Sequence, residues 1–179
     1  MGWHQAKLAV LLAHRGLLRV GELLRLRFCD IVLSGVDVVL LRLRQTKTGK
    51  EQPVRFTDRG MFLLLKALLE TVKDYNEFVV QIGYARLRLQ LRQALQFLGL
   101  RNARFVFHSL RHGGATELFQ AGWALDNIAH QGRWRSLTTT RRYINTGLAL
   151  LAEEQLSRVH QARAQQLAEQ WRQGNNAFT

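Results

Sequence analysis

The stretch HSLRHGGAT, residues 108–116, sets a histidine and an arginine three apart and follows them at once with two glycines. The surrounding periodicity predicts a helix over 109–121, with Leu110, Gly114 and Leu118 forming an i, i+4, i+8 stripe that packs inward. At about 100° per residue, His108 and Arg111 fall together on a flank of that stripe, and His112 lies only about 40° from His108. Each helical glycine costs about 1 kcal/mol against alanine. Their use is therefore a close approach of backbone, either to another element or to a bulky ligand. Two readings stand side by side: a helix that enters a core while facing an anion, and a surface His–Arg pair on a tightly packed helix.

Upstream, QAKLAVLLAH (5–14) reads as a short helix closed by RG, and 19–27 as a second helix with Leu23 and Leu26 facing inward. DIVLS and VDVVLLRLR flank Gly35 and are rich in Val and Leu, which predicts a β-hairpin. TKTGK is a turn, and QPVRF a third short strand whose Pro53 asks for an edge position or a strand start. Helices follow at 58–72, 85–98, 124–131 and 135–145 around the one already described, with a long one over 147–172. The fold class is therefore mainly α (α+β), a helical domain with a small three-stranded antiparallel sheet. Tyr75 and Tyr84 read as structural.

The chain has 179 residues, 26 Lys+Arg against 13 Asp+Glu, and a net charge of +13. Such a field attracts polyanions, and arginine binds phosphate as a fork as well as a charge, so nucleic acid is the leading partner. A single cysteine, Cys29, excludes an intramolecular disulfide and a cysteine-rich zinc site. The apolar run LAVLLA is too short for a membrane span or a signal peptide. With no export signal and no lipidation motif, the expected location is cytoplasmic, or the nucleoid or nucleus where the DNA is.

Downstream, GRWRSLTTTRRYI places Trp134 23 residues after Arg111 and Tyr143 nine after Trp134. GLLRVGELLRLRF carries Arg19 and Glu22, and QTKTGK carries Lys47. In this order and spacing the chain, from about residue 5 to 146, resembles the tyrosine recombinase/integrase family, with its phage-integrase, Xer and Cre-like branches. The resemblance implies the catalytic-domain fold of that family for residues 1–146. It implies that Arg19 and Arg111 are the two catalytic arginines, Lys47 the hairpin lysine, His108 the histidine of the HxxR pair and Tyr143 the nucleophile. Trp134 stands where many relatives have histidine and some have tryptophan. Glu22 matches an acidic position beside the first arginine.

The implied activity is that of a site-specific DNA recombinase or integrase, needing neither metal nor cofactor. Tyr143 would attack a phosphodiester to give a 3′-phosphotyrosine and a free 5′-hydroxyl, and a second 5′-hydroxyl would reverse the step. A free tyrosine, with a pKa near 10, is only about 0.1% phenolate at pH 7, so a base is required. His108 fits that role, and Arg19 and Arg111 fit the clamping of the extra phosphorane charge. Lys47 would protonate the leaving oxygen, which arginine does poorly because its pKa is too high. Trp134 offers an N–H and a flat wall. Arg133, Arg135, Arg141, Arg142 and Lys50 are weaker candidates for contacts to flanking phosphates, and His112 is a lesser one.

Residues 147–179 are expected to form a C-terminal helix and tail. Leu148, Ala152, Leu156, Val159 and Leu167 lie on one face, with Trp171 at its edge. That face would dock onto its own core or onto a neighbouring protomer of a homo-oligomer, a tetramer on double-stranded DNA. The family's N-terminal core-binding domain is expected to be absent. Three alternatives stay open: a minimal recombinase, a remnant of a longer one, and a catalytically idle DNA-binding regulator. A related topoisomerase is disfavoured by the short, integrase-like spacing.

Overall fold

A computed structural model describes residues 2–44, 51–100, 105–144, 150 and 157–172. Helix α1 (Gly2–Arg15) buries Ala6, Ala9, Leu12 and Ala13, a stripe of small and apolar residues at helical spacing. It ends where Leu17 takes a left-handed conformation (φ 48°) and the Leu18 amide donates back to the Ala13 carbonyl over 3.0 Å.

The helix expected over 19–27 is a correction: α2 is a single turn, Val20–Leu23. Beyond it the chain tightens into i→i+3 bonds, Arg25 to Glu22 and Leu26 to Leu23, each 3.2 Å. It then leaves helix altogether, because the Leu26 carbonyl accepts from the Val79 amide (2.9 Å) and the Phe28 amide donates to Glu77 (3.1 Å). Pairing with the 77–79 segment supplies backbone partners that a further helical turn would have supplied locally. Leu23 and Leu26 are both buried, as their spacing predicted.

The sheet is antiparallel throughout, in the order β1 (Ile31–Ser34), β2 (Val38–Leu43), β3 (Gln52–Thr57). Val39, Leu41 and Leu43 alternate with exposed Arg42, and Val54 and Phe56 continue the same buried face. Gly35 turns the hairpin at φ +61°. Pro53 lies on the edge strand opposite Arg42, where its missing N–H costs little. Lys47 and Lys50 lie outside the described residues.

Helix α3 (Arg59–Thr71) starts at Asp58, whose carboxylate accepts from the Met61 amide at 2.8 Å, and packs its Met61 and Leu65 against the sheet face. Then come α4 (Tyr84–Phe97), α5 (Phe107–Gln120), α6 (Leu125–Gly132), α7 (Leu137–Tyr143) and α8 (Arg158–Arg172). The main core gathers α1, the sheet, α3, α4 and Phe107. A second, smaller cluster joins Leu17, Ala115, Ile128 and Trp134, with Leu118, Tyr143 and Ile144 against it. Tyr75 donates its hydroxyl to the Leu69 carbonyl (3.0 Å), and Tyr84 meets the Phe107 ring edge-on, so both are held structurally.

The glycines of α5 serve an approach to another element. A Cβ on Gly114 would stand 2.2 Å from the His14 carbonyl oxygen and 2.6 Å from Leu17 Cδ2, whereas one on Gly113 would meet only the His14 ring, at 3.4 Å. Gly114→Ala is expected to cost about 1–3 kcal/mol by overpacking. Gly113→Ala is expected to be neutral or stabilising, since alanine is the better helix former by about 1 kcal/mol. Thermal unfolding of the two variants measures the difference.

Helix α8 touches α3, and His160 lies edge-on to Phe97 with ring centroids 5.7 Å apart. Val159 is 77% exposed, so among the described residues nothing covers that part of the expected apolar face. Leu148, Ala152 and Leu156 lie outside the described residues, as do the side chains of Leu167 and Trp171. No described helix is long and apolar enough to cross a membrane.

Candidate active site

The C-terminal halves of the fold converge on the Tyr143 ring. Ser136 caps α7 by accepting from the Thr139 amide (3.2 Å), and that helix carries Tyr143 at its end. The Tyr143 hydroxyl lies 3.1 Å from His108 Nε2 on the first turn of α5. His112, one turn later, stacks on the Tyr143 ring (4.2 Å between centroids, 21° between planes). Trp134 meets the same ring at 4.5 Å and 42°. Between ring centroids, the lesser candidate of the sequence, His112, therefore lies nearer to Tyr143 than His108 (5.4 Å) or Trp134 does.

Arg111 lies beneath this aromatic group. It is fully buried, with its guanidinium carbon 4.7 Å from the Trp134 ring and 5.8 Å from the Tyr143 ring. Nη1 donates to the Leu17 carbonyl and Nη2 to the Gly132 carbonyl. Burial, and then the charges of Arg133 and Arg19, push its pKa down to about 9, so it remains a cation at neutral pH. Each Nη keeps a second N–H, and Nε has no acceptor among the described residues.

His108 is exposed, yet its pKa is lowered by desolvation, then by Arg111 and Arg19. The neutral imidazole is the resting form at pH 7, which leaves a ring nitrogen able to accept a proton. His112 is lowered too, by desolvation and then by His108.

Trp134 is 9% exposed, and its Nε1–H has no acceptor among the described residues. Its position is made by Gly132: a Cβ there would fall 2.1 Å from Trp134 Cζ3. Arg133 closes α6 in a left-handed conformation (φ 55°, ψ 41°), and the turn is secured by Trp134 N–H to the Ala129 carbonyl at 2.9 Å.

Glu22 organises the other side. Its Oε1 accepts from Arg19 Nη1 (2.8 Å), and its Oε2 from the Arg19 backbone N–H (2.8 Å) and from Arg133 Nη2 (2.7 Å). Burial pushes the Glu22 carboxyl up, but Arg133 and the Arg19 bonds more than offset this and hold it below its ordinary value. The Arg19 side chain is 33% exposed and the most open of the three guanidinium groups at the site, Arg133 being 5% exposed and Arg111 buried.

Sequence reasoning thus placed Tyr143, His108, Arg111, Trp134, Arg19 and Glu22 in one neighbourhood, and the structure brings them together. Arg135, Arg141 and Arg142 are exposed, as flanking-phosphate contacts require. Arg133 departs from that group, being buried against Glu22. Leu17 was missed: its carbonyl accepts from both Arg111 and Arg133 (the latter 3.0 Å), and no side-chain chemistry marks a residue that acts through its backbone. Among the described residues no cluster of three metal-capable side chains occurs.

Residues 4–147 match the model of the phage integrase family. Transposase A from transposon Tn554 of Staphylococcus aureus is 28% identical over 158 residues, which cover 78% of this chain and 43% of that protein. Among solved structures, XerA recombinase superposes with a TM-score of 0.62 at 20% identity, over 87% of this chain and 62% of that one. XerH recombinase bound to its difH substrate superposes with a TM-score of 0.60 at 23% identity, over 83% of this chain and 44% of that one. The chain spans less than half the length of the curated relative it matches.

Proposed function

Because the chain belongs to the phage integrase family, we propose that it is a tyrosine-type site-specific recombinase that cleaves and rejoins double-stranded DNA. The observation that carries the proposal is the 3.1 Å contact between the Tyr143 hydroxyl and His108 Nε2, set above the buried Arg111 cation. With His108 neutral and its proton on Nδ1, the hydroxyl donates to Nε2 and is poised to lose its proton as it attacks phosphorus. The Tyr143–phosphorus bond forms as the bond to the 5′-oxygen breaks, giving a 3′-phosphotyrosine. Lys47 supplies the proton that the leaving oxygen takes up.

Arg19 reaches the non-bridging oxygens directly. Arg111 contributes its remaining N–H groups and a fixed positive charge in a desolvated place, where such charge acts most strongly. His112 and Trp134 both pack on the Tyr143 ring and hold it in place. Arg135, Arg141, Arg142 and Lys50 bind flanking phosphates. The wider proposal is a homotetramer on DNA, in the cytoplasm or nucleoid, because every strand cut in an exchange consumes one copy of Tyr143. The fold shared with XerH, a site-specific recombinase solved on its difH substrate, supports this reading.

The test is covalent trapping. The chain is mixed with a diverse duplex pool, denatured and captured, and the attached DNA is sequenced, with Tyr143→Phe beside it. DNA retained only by the native chain supports cleavage and reports the site. DNA bound before denaturation but never covalently held by either version favours a binding regulator. The pH dependence is a second check. A lowered His108 pKa means that the trapping rate is flat through neutrality and falls with acid only below the ordinary histidine value of 6.5. A pH–rate profile whose acid limb lies at or above 6.5 contradicts the assignment of the base.

A further inference from the structure

We propose that Arg133 is a positioning residue that fixes the Arg19 guanidinium through Glu22 and ties it to the seat of Arg111; this rests on the recombinase reading above. Arg133 occupies a left-handed conformation that glycine adopts without strain. An arginine kept there has a use for its side chain, and that side chain is only 5% exposed. It does not present its charge to the surface, as Arg135, Arg141 and Arg142 do.

Its contacts define the use. Nη1 donates to the Gln131 carbonyl at 2.9 Å, and Nη2 to both Glu22 Oε2 at 2.7 Å and the Leu17 carbonyl at 3.0 Å. Glu22 Oε2 also takes the Arg19 backbone N–H, and the Leu17 carbonyl also takes Arg111 Nη1. Arg133 therefore shares one acceptor with the Arg19 backbone and another with the Arg111 guanidinium, the two proposed phosphate-clamping arginines.

The electrostatics give the same assignment. The Glu22 side chain is 2% exposed, and a carboxylate so placed stays ionised only if its charge is compensated. Arg19 compensates from a partly solvated position, and Arg133 from a buried one. Of the four arginines of the neighbouring cleft, Arg27, Arg42 and Arg44 are committed to Asn76 and Phe78, to Glu51 and to Asp30. Without Arg133, the Glu22 carboxyl loses its buried counter-charge and its pKa rises, and the carboxylate that aims Arg19 is held less firmly.

The experiment uses Arg133→Gly, Arg133→Lys, Glu22→Gln and the Arg133→Gly/Glu22→Gln double variant. Glycine relieves the left-handed backbone while deleting the guanidinium. The covalent-trapping rate is expected to fall about 30- to 300-fold in Arg133→Gly. The double variant is expected to be no slower than its slower parent, and Arg133→Lys to recover part of the rate. Duplex affinity should stay within about threefold of wild type, since Arg133 makes no phosphate contact. An unchanged trapping rate, multiplicative losses in the double variant, or duplex affinity falling in step with trapping would overturn the inference.

Should the native chain trap no DNA at all, the recombinase reading falls, and the Glu22 carboxyl, followed by carbon-13 NMR titration, still decides the arrangement. Arg133→Gly should raise its midpoint by more than about one pH unit. An unmoved midpoint overturns the inference independently of any activity.

Discussion

Tyr143→Phe is expected to abolish covalent DNA attachment while leaving the fold and duplex binding nearly intact. The substitution removes one oxygen, and that oxygen is the only atom of the site proposed to bond to phosphorus. No neighbour replaces it: Tyr75 and Tyr84 are held by Leu69 and Phe107. The ring itself keeps its stack on His112 and its contact with Trp134. Losing a single half-exposed hydrogen bond costs about 0.5–1.5 kcal/mol. Melting should therefore shift by only a few degrees. Attached DNA that survives the substitution would refute Tyr143 as the nucleophile, whatever the fate of the rest of the site.

The second large effect is expected at Arg111, and it has two components that separate by variant. Arg111→Ala leaves the buried Gly132 carbonyl without its donor, leaves the Leu17 carbonyl to Arg133 alone, and opens a cavity beneath Trp134. The orphaned acceptor costs about 1–3 kcal/mol, and the cavity left by so large a buried side chain adds to it, so a total of about 3–5 kcal/mol is expected. That is a large part of the ordinary stability of a domain, about 5–15 kcal/mol, and calorimetry should show it as a pronounced drop in Tm. Arg111→Lys keeps the charge but not the two-armed geometry. It should retain more stability yet lose about 10²–10³ in the trapping rate, the effect typical of removing one well-placed donor to a transition-state anion. A lysine variant that folds and traps DNA at the native rate would show that the fork of Arg111 is structural alone.

Much of this arrangement was legible in the chain. The helices expected over 58–72 and 135–145 correspond to α3 and α7, and the Val- and Leu-rich segments flanking Gly35 pair as the hairpin they predicted. His108, Arg111, Trp134 and Tyr143 were found through the resemblance to the family's motif spacing: two of them share one turn of α5, and the other two stand just before α7 and at its end. The failures have definite causes. The helix expected over 19–27 was lost to backbone pairing with residues 77–79, a partner some fifty residues away that no local pattern reveals. Arg133 looked like one more member of a surface run with Arg135, Arg141 and Arg142, since charge alone does not say which arginine has a buried carboxylate to meet. The Glu22–Arg133 contact spans 111 positions. Gly132 shows the same limit of a local pattern. A glycine there is the natural candidate for a helix C-cap, yet the left-handed residue is Arg133 and the glycine is spent on packing.

That packing has a consequence for how such chains can diverge. The Trp134 indole fills the space that any side chain at 132 would need. The two sites therefore form a single heritable unit. A lineage that trades the indole for a smaller ring gains freedom at 132, and one that acquires a side chain at 132 must first give up the indole. Neutral drift through these two positions is expected to run in that order only, which makes the pair a readable trace of ancestry as well as a piece of architecture.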